Sequence, residues 1–213
     1  MVNLILDCSC GMSVFVVKDE EVFSFEDKTQ NKHSDEILKV IDELLLKAKL
    51  KINDIQNICV CVGPGSFTGV RVAMSIVKGL AIGVKAKVFA CSNFDIFNCL
   101  EKDYYLVLDG FSNLVYLRTV KDNEIKDECV EIEKFVERQK NDNLNVYHTT
   151  EKTQKLLEKF EIKSNFAQND IISAFNNKIQ NNNSVELNQI YPVYLRASQA
   201  EIEREKKKNN GWF

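Results

Sequence analysis

The stretch VGPGSFTGVRVAMSIVKGLA, which runs from Val62 to Ala81, decides the predicted fold. It follows the apolar run NICVCV (57–62) and leads into a long apolar segment that carries only two charges. An apolar run, a cluster of glycine and proline, and a second, longer apolar run predict a buried strand, a tight turn and a helix. The central question is what the turn and the helix do.

The glycine loop GPGSFTG matches no common phosphate-binding motif. It lacks the Gly-Lys-Ser/Thr of a Walker A loop, and its glycine spacing differs from G-x-G-x-x-G. One interpretation is an anion site or a rigid recognition loop, because backbone N–H groups are free at a helix N-terminus. The other is a tight turn whose Ser66 or Thr68 caps the helix. Both stay open for the loop residues Gly63, Pro64, Gly65, Ser66, Phe67, Thr68 and Gly69.

The helix after the loop carries Arg71 and Lys78 and little other polar surface. Ser75, Gly79 and Gly83 recur at every fourth position, so they form a strip of small residues on one helical face. Glycine costs about 1 kcal/mol relative to alanine inside a helix, which indicates a packing reason for the strip. Either the protein's own sheet or a partner helix is expected to cover it.

The other segments predict two lobes with the same order of elements, 1–101 and a smaller 102–213 with a charged tail. Ser34 is the predicted N-cap of the first helix, and Ser92 that of a helix over 92–100. The Asn-rich segment 176–189 is predicted to be a loop. Predicted strands cover 2–7, 12–18, 20–27, 57–62, 86–90, 104–109, 113–120, 124–132 and 144–148, and predicted helices cover 34–48, 70–84, 92–100, 133–140 and 150–160.

Acidic residues stand at equivalent turns of the two lobes. Asp7, followed by Ser9, ends the first strand, and Asp109 ends the strand that opens the second lobe. A turn aspartate commonly accepts backbone N–H bonds. The alternative is that the pair faces the phosphates and metal of a nucleotide, as paired acidic turns do in actin-like ATPases.

Composition limits the classes of protein. With 213 residues, 45% hydrophobic content and a net charge of −3, the chain is expected to fold and not to bind nucleic acid on its own. No apolar run reaches the roughly 20 residues of a membrane span, and the first residues lack a basic region, so a cytoplasmic protein with no membrane partner is expected. The seven cysteines are odd in number and paired as C-x-C, which favours buried, reduced thiols.

Histidine is scarce. Only His33 and His148 occur, and Ile37 stands four residues after His33, so no H-x-x-x-H metal pair exists. No serine or cysteine nucleophile motif is visible either. The sequence therefore predicts no metal site and no catalytic residue.

Five landmarks together resemble the TsaB (YeaZ) family across nearly the whole chain: LILDCS, KHSDEILKVI, GPGSFTGVR, LVLDGFSNLVYL and YPVYLRASQAE. The resemblance implies a two-lobed α/β fold of the actin-like ATPase (ASKHA, RNase H-like) type with mixed sheets and a reduced second lobe. It implies a non-catalytic dimerisation or scaffold subunit of the machinery that adds threonylcarbamoyl to adenosine 37 of ANN-decoding tRNAs.

The resemblance also implies partners. These are the catalytic paralogue TsaD, the ATPase TsaE, and tRNA through the complex, with TsaC supplying threonylcarbamoyl-AMP. No cofactor is expected on the isolated chain, while ATP or ADP at the complex interface and a homodimer of the isolated chain stay open. The expected partner interface, formed by the first helix and the loop helix, comprises His33, Ile37, Ile41, Arg71, Ser75, Lys78, Gly79 and Gly83.

Two other functions compete with this one. An autonomous nucleotide-dependent phosphotransferase is suggested by the paired aspartate turns. A peptidase is a label that this superfamily has attracted, but the missing metal pair and the missing nucleophile motif argue against it.

Overall fold

The computed structural model describes residues 1–27 and 36–196, so the predictions for His33, Ser34 and the charged tail lie outside it. Two five-stranded sheets, each with helices, form the two lobes. The first lobe contains β1 (Val2–Asp7), β2 (Met12–Lys18), β3 (Glu21–Asp27), α1 (Ile37–Lys47), β4 (Asn57–Cys61), α2 (Phe67–Val84) and β5 (Lys87–Cys91). The second contains β7 (Tyr104–Asp109), β8 (Leu114–Lys121), β9 (Glu124–Glu131), α3 (Ile132–Asp142), β10 (Asn145–His148), α4 (Glu151–Glu158) and β11 (Asn165–Phe166).

The two sheets repeat one topology. Their orders are β3-β2-β1-β4-β5 and β9-β8-β7-β10-β11, so each element of the first sheet has a counterpart in the second. In each, an antiparallel three-stranded meander is joined to two parallel strands. Parallel strands need crossover connections, which α1 and α2 supply in the first lobe. The predicted duplication is therefore present, and β1 corresponds to β7.

The first lobe has the larger core. The predicted apolar face of α1 is buried against the sheet because its residues fall on one side of a 3.6-residue turn. The side chains of that face are Ile37, Ile41, Leu44, Leu45 and Ala48, all under 5% exposed. A second core under β7 and α3 holds the smaller lobe together.

The segment 92–100 is not the predicted helix. It contains turns and the short strand β6 (Phe97–Asn98), which pairs with β12 (Gln168–Asn169). Phe94 is buried in a core shared with the second lobe, whereas Ile96 is buried against the first sheet. The pairing of β6 with β12 takes residues 97 and 98 into a strand, so this long-range contact overrides the helix signal.

A helix also occupies part of the predicted loop. α5 (Ile171–Gln180) is capped by the side chain of Asp170, which accepts from Ser173 N. Its buried Ile171 and Phe175 pack against the first sheet, beside β5. The division at 101/102 is therefore wrong for this part of the chain, because α5 returns to the first lobe.

Four of the seven cysteines are buried, and all seven are free thiols: Cys8, Cys59, Cys61 and Cys91 are buried, Cys99 and Cys129 are half-buried, and Cys10 is exposed. Cys59 and Cys61 lie on β4 and have no exposed surface. Cys10 is exposed because it lies in the turn after β1, where the side-chain alternation of a strand no longer applies. The prediction of buried thiols is thus wrong for Cys10.

Candidate docking helix and paired acidic turns

The glycine loop lies against the turn that follows β1. Ser66 N donates to Ser9 O over 2.7 Å, and Asn93 Nδ2 donates to Pro64 O over 3.0 Å. Gly65 and Gly69 are required by this contact, because a Cβ at either position would overlap the backbone of the turn. The protein's own backbone therefore occupies the approach to the loop at these two glycines.

The same loop starts α2 in the way that the tight-turn interpretation predicts. Ser66 is the N-cap, and its hydroxyl accepts from Gly69 N over 3.2 Å. Gly63 has a φ of +91°, a conformation that glycine adopts without strain. Of the two predicted caps, Ser66 fills the role and Thr68 lies one position inside the helix.

The strip of small residues on α2 is exposed. Ser75, Gly79 and Gly83 all face away from the sheet, and a Cβ added at Gly79 or Gly83 would have nothing within 4 Å. The opposite face of α2 packs on the first sheet through Val70, Ala73, Met74, Val77 and Ala81. The alternative that the protein's own sheet covers the strip is therefore wrong.

Length and composition alone would allow α2 to cross a membrane, although the sequence showed no run of about 20 apolar residues. One face of the helix is instead committed to contacts with the first sheet. Arg71 and Lys78 interrupt the rest of its surface.

The chain itself binds both cations of α2. Arg71 Nε donates to the hydroxyl of Tyr194, and its guanidinium lies 3.8 Å above the ring of Phe67. Lys78 Nζ donates to Ile190 O over 3.0 Å. The segment 190–194 therefore lies along one side of α2. It is anchored by Val193 N, which donates to the carbonyl of Val62, the residue after β4, over 2.8 Å.

Two of the expected interface residues are not available to a partner. Ile37 and Ile41 are 1% and 0% exposed, because the apolar face of α1 is buried against the sheet. They support the docking helix from within, and their assignment to the interface is corrected. The exposed apolar residues of α1 are Leu38 and Leu46, which are 50% and 78% exposed.

Asp7 ends β1 in a half-buried position. Its Oδ1 accepts from Ser9 N over 2.8 Å, which is the turn role predicted for it. Burial raises the pKa of this carboxyl above its usual value, against the hydrogen bond from Ser9. The hydroxyl of Ser9 is buried and has no hydrogen-bond partner among the described residues.

Asp109, at the equivalent turn of the second lobe, accepts hydrogen bonds from side chains of α4. Its Oδ1 accepts from the hydroxyls of Thr150 and Thr153, and its Oδ2 lies 3.9 Å from Lys152 Nζ. Thr150 is the N-cap of α4, so Asp109 ties the first turn of that helix to the end of β7. A cavity of about 580 Å³ opens beside this cluster, between the turn at Gly110 and α4.

Both acidic turns lie near one thiol. Although Cys10 as a residue is exposed, desolvation of its thiol and the negative charges of Asp7 and Asp109 raise the pKa of this thiol to about 11. Asp7 and Ser9 share the turn after β1, and the charge of Asp109 acts on the thiol of the same turn. Within residues 1–27 and 36–196, no group of three or more His, Cys, Asp or Glu residues is arranged to hold a metal ion.

Arg118 joins the lobes, and the sequence analysis missed it. It binds Asp127 on β9 and Asp95 in the segment between the lobes, each over 2.7 Å, and lies 4.9 Å above the ring of Phe94. A single arginine inside the apolar strand LVYLRTV was the available signal, because a buried cation needs carboxylate partners.

Comparison with known proteins agrees with this architecture. The family model described as TsaD, tRNA N6-adenosine threonylcarbamoyltransferase, matches residues 27–172. A TsaB protein, described as a tRNA threonylcarbamoyladenosine biosynthesis protein, from Buchnera aphidicola subsp. Acyrthosiphon pisum is 32% identical over 45% of this chain and 45% of its own length. The TsaB protein of Haemophilus influenzae is 38% identical over 42% of this chain and 39% of its own length.

The aligned part thus spans less than half of these curated relatives. Among solved structures, YeaZ from Pseudomonas aeruginosa superposes with a TM-score of 0.72 at 21% identity, covering 91% of this chain and 99% of that chain. This likeness confirms the predicted two-lobed actin-like fold. Because the family model matches more than half of the chain, the protein belongs to the tRNA N6-adenosine threonylcarbamoyltransferase (TsaD) family, and the predicted resemblance to its TsaB (YeaZ) members is confirmed.

Proposed function

We propose that this chain is a non-catalytic docking subunit of the complex that adds threonylcarbamoyl to adenosine 37 of tRNA. In this proposal it pairs with a catalytic paralogue of the TsaD type, which binds a TsaE-type ATPase, and it meets tRNA within the complex in the cytoplasm. The relatives named as tRNA threonylcarbamoyladenosine biosynthesis protein TsaB support the pathway.

The exposed strip on α2 carries the docking part of the proposal. Ser75, Gly79 and Gly83 leave open space along the middle and C-terminal half of the helix. Ile82 beside the strip is 69% exposed, so the uncovered face is also apolar. Small residues let a second helix approach closely, and covering such a face removes apolar surface from water.

The residue types of the chain support a non-catalytic role. Ile37, which stands four residues after His33, is a buried apolar residue of the core. The acidic turns are engaged in structure, since Asp7 holds the turn after β1 and Asp109 holds the start of α4. We therefore assign the chemistry to the paralogue and the scaffold role to this chain.

Reconstitution tests this function. The purified chain, its TsaD-type paralogue and the TsaE-type ATPase are assayed singly and together for threonylcarbamoyl transfer to tRNA from supplied threonylcarbamoyl-AMP. The proposal expects no transfer by this chain alone and transfer only when it is combined with the paralogue. Transfer by the isolated chain, or full activity of the paralogue without it, would contradict the proposal.

An autonomous nucleotide-dependent phosphotransferase is the second candidate. The observation that favours it is the unpartnered, buried hydroxyl of Ser9 near Asp7 and Asp109. Titration of Mg-ATP into the isolated chain and into the chain with its paralogue separates the two. Tight binding by the isolated chain would support the second candidate, and binding only in the pair would support ATP or ADP at the interface.

A further inference from the structure

We infer that the N-terminal end of α2 carries a receptor for a carboxylate of the docking partner, formed by Phe67, Arg71 and Tyr194. The inference rests on the proposed docking function and identifies a chemical group that the partner must supply. The receptor lies at the N-terminal end of the strip, where Arg71 precedes Ser75 on the same face of α2.

The geometry of Arg71 is fixed from two sides. Its guanidinium lies 3.8 Å above the ring of Phe67, and its Nε donates to the hydroxyl of Tyr194. The rings of Phe67 and Tyr194 stack on each other with centroids 4.8 Å apart. An arginine that is fixed by a ring beneath it and by a hydroxyl beside it loses less freedom when it binds a ligand, which favours affinity.

Most of the donors of this guanidinium are unused. The group has five N–H donors, and only the Nε donor has a partner in the described part of the chain. No carboxylate in that part forms an ion pair with Arg71, whereas Arg118 and Arg138 each form one. The free Nη groups match the two oxygens of a carboxylate, which arginine binds bidentately.

The receptor is continuous with the docking strip. Arg71 lies four residues before Ser75, on the same helical face as Gly79 and Gly83. A helix that lies along the strip therefore reaches Arg71 at one end. Exposed arginine and aromatic residues are also the types that dominate binding energy at protein interfaces.

The occupant to which we assign the carboxylate is a helix of the catalytic paralogue. The sequence of α2, FTGVRVAMSIVKGLAIGV, contains neither aspartate nor glutamate. A second copy that placed its own α2 on this face would bring no carboxylate from that helix. A carboxylate that reaches Arg71 must therefore come from an element other than α2, and we assign it to an Asp or Glu on the paralogue's helix.

The test measures the dissociation constant between this chain and its paralogue at several salt concentrations. Arg71→Ala is expected to weaken pairing about 10-fold or more and to reduce the salt dependence, because a charge-assisted bidentate contact is lost. Arg71→Lys is expected to recover little of the lost affinity, since an ammonium lacks the paired N–H donors with which a guanidinium binds both oxygens of a carboxylate. Tyr194→Phe, which keeps the stacking but removes the hydroxyl, is expected to weaken pairing about 2- to 10-fold.

Arg138→Ala is the matched control, because Arg138 is a half-exposed arginine on α3 whose ion pair is internal, with Glu128. It should leave pairing unchanged. If Arg71→Ala fails to fold by its thermal midpoint, Arg71→Gln and Tyr194→Phe provide the same comparison.

Three outcomes would overturn the inference. If Arg71→Ala pairs normally while Gly79→Leu does not, the docking strip stands and the carboxylate receptor is wrong. If Arg71→Ala splits a homodimer but leaves pairing with the paralogue unchanged, the occupant is a second copy. If the wild-type chain never binds the paralogue, the proposed function fails and the receptor fails with it.

Discussion

Arg118 on β8 and Asp95 in the segment between the lobes lie 2.7 Å apart, and this ion pair links the two lobes. Asp127 on β9 completes the site by accepting from Nε and Nη2 of the same guanidinium. Burial by itself would raise the pKa of Asp95, but the hydrogen bond and charge of Arg118 outweigh it, so that pKa lies below its usual value. The lobes are therefore held in one arrangement by an ionic contact as well as by apolar packing.

Arg118→Met should lower the free energy of unfolding by about 1–3 kcal/mol, because two partly buried carboxylates lose their cation. Urea unfolding measures the change. Asp95 has a depressed pKa in the fold, so its contribution is present above its unfolded pKa of about 3.9 and is lost as the pH falls through the lower folded value. The difference in free energy of unfolding between the variant and wild type should therefore become smaller below about pH 4. Lys121→Met, which removes an exposed ion pair with Asp142, is the control and should change little.

Asp7→Asn should raise the thermal midpoint at pH 7. Burial raises the pKa of Asp7, so the folded state keeps its proton to a higher pH than the unfolded state, and stability falls as the pH rises above about 3.9. The neutral amide avoids this loss and still accepts from Ser9 N through its oxygen. The advantage should disappear at acidic pH, and an equal gain at pH 3 and pH 7 would contradict the account.

Alanine substitution should change the free energy of unfolding in opposite directions at the glycines of the loop and at those of the strip. Gly65→Ala and Gly69→Ala should each destabilise the protein by about 1–3 kcal/mol, because the added methyl overlaps the backbone of Ser9 or Cys8. Gly79→Ala and Gly83→Ala should each stabilise it by about 0.5–1 kcal/mol, because alanine is the better helix former and space is open. Chemical denaturation of the four variants compares them, and destabilisation by Gly79→Ala would contradict the exposed strip.

The thiols should react in two classes. Cys10, Cys99 and Cys129 should react slowly with a thiol reagent at neutral pH, since each has some exposure and a raised pKa. The buried thiols Cys8, Cys59, Cys61 and Cys91 should react only when the protein unfolds. Mass spectrometry with and without denaturant counts both classes, and rapid native labelling of four or more thiols would contradict the described core.

Local patterns predicted much of the fold. The strands of both meanders and the buried face of α1 followed from alternation and from 3.6-residue periodicity. The place before an apolar helix predicted a cap at Ser66 or Thr68, and the structure has it at Ser66.

The helix predicted at 92–100 and the first part of the loop predicted at 176–189 both fail where the lobes meet. Phe94 and Ile96 are buried in different cores, and α5 packs across the lobe boundary on the first sheet. Contacts between the lobes override the helix signal at 92–100. The spacing of Ile171, Phe175 and Ile179 was a helix signal for α5, but the Asn-rich composition of the segment indicated a loop.

The docking region was predictable only in part. The spacing of Ser75, Gly79 and Gly83 indicated a flat strip, but sequence could not decide which side of α2 the sheet would take. Tyr194 is 123 residues from Arg71 along the chain, and no local pattern connects residues so distant. Ile37 and Ile41 were assigned to the interface because α1 as a whole was expected to contact the partner. The periodicity that predicted α1 also places both residues on its buried face.

Gly79→Leu tests whether the strip on α2 is a docking face, because it places a bulky side chain in the middle of that strip. The variant and its matched control Glu137→Leu, which adds the same side chain on the exposed surface of α3, are each compared with wild type for thermal midpoint and for co-elution with the paralogue on a sizing column. Neither variant should have a midpoint below that of wild type; Glu137→Leu should co-elute with the paralogue, and Gly79→Leu should not. A midpoint well below wild type for Gly79→Leu, or its normal co-elution with the paralogue, would contradict the account.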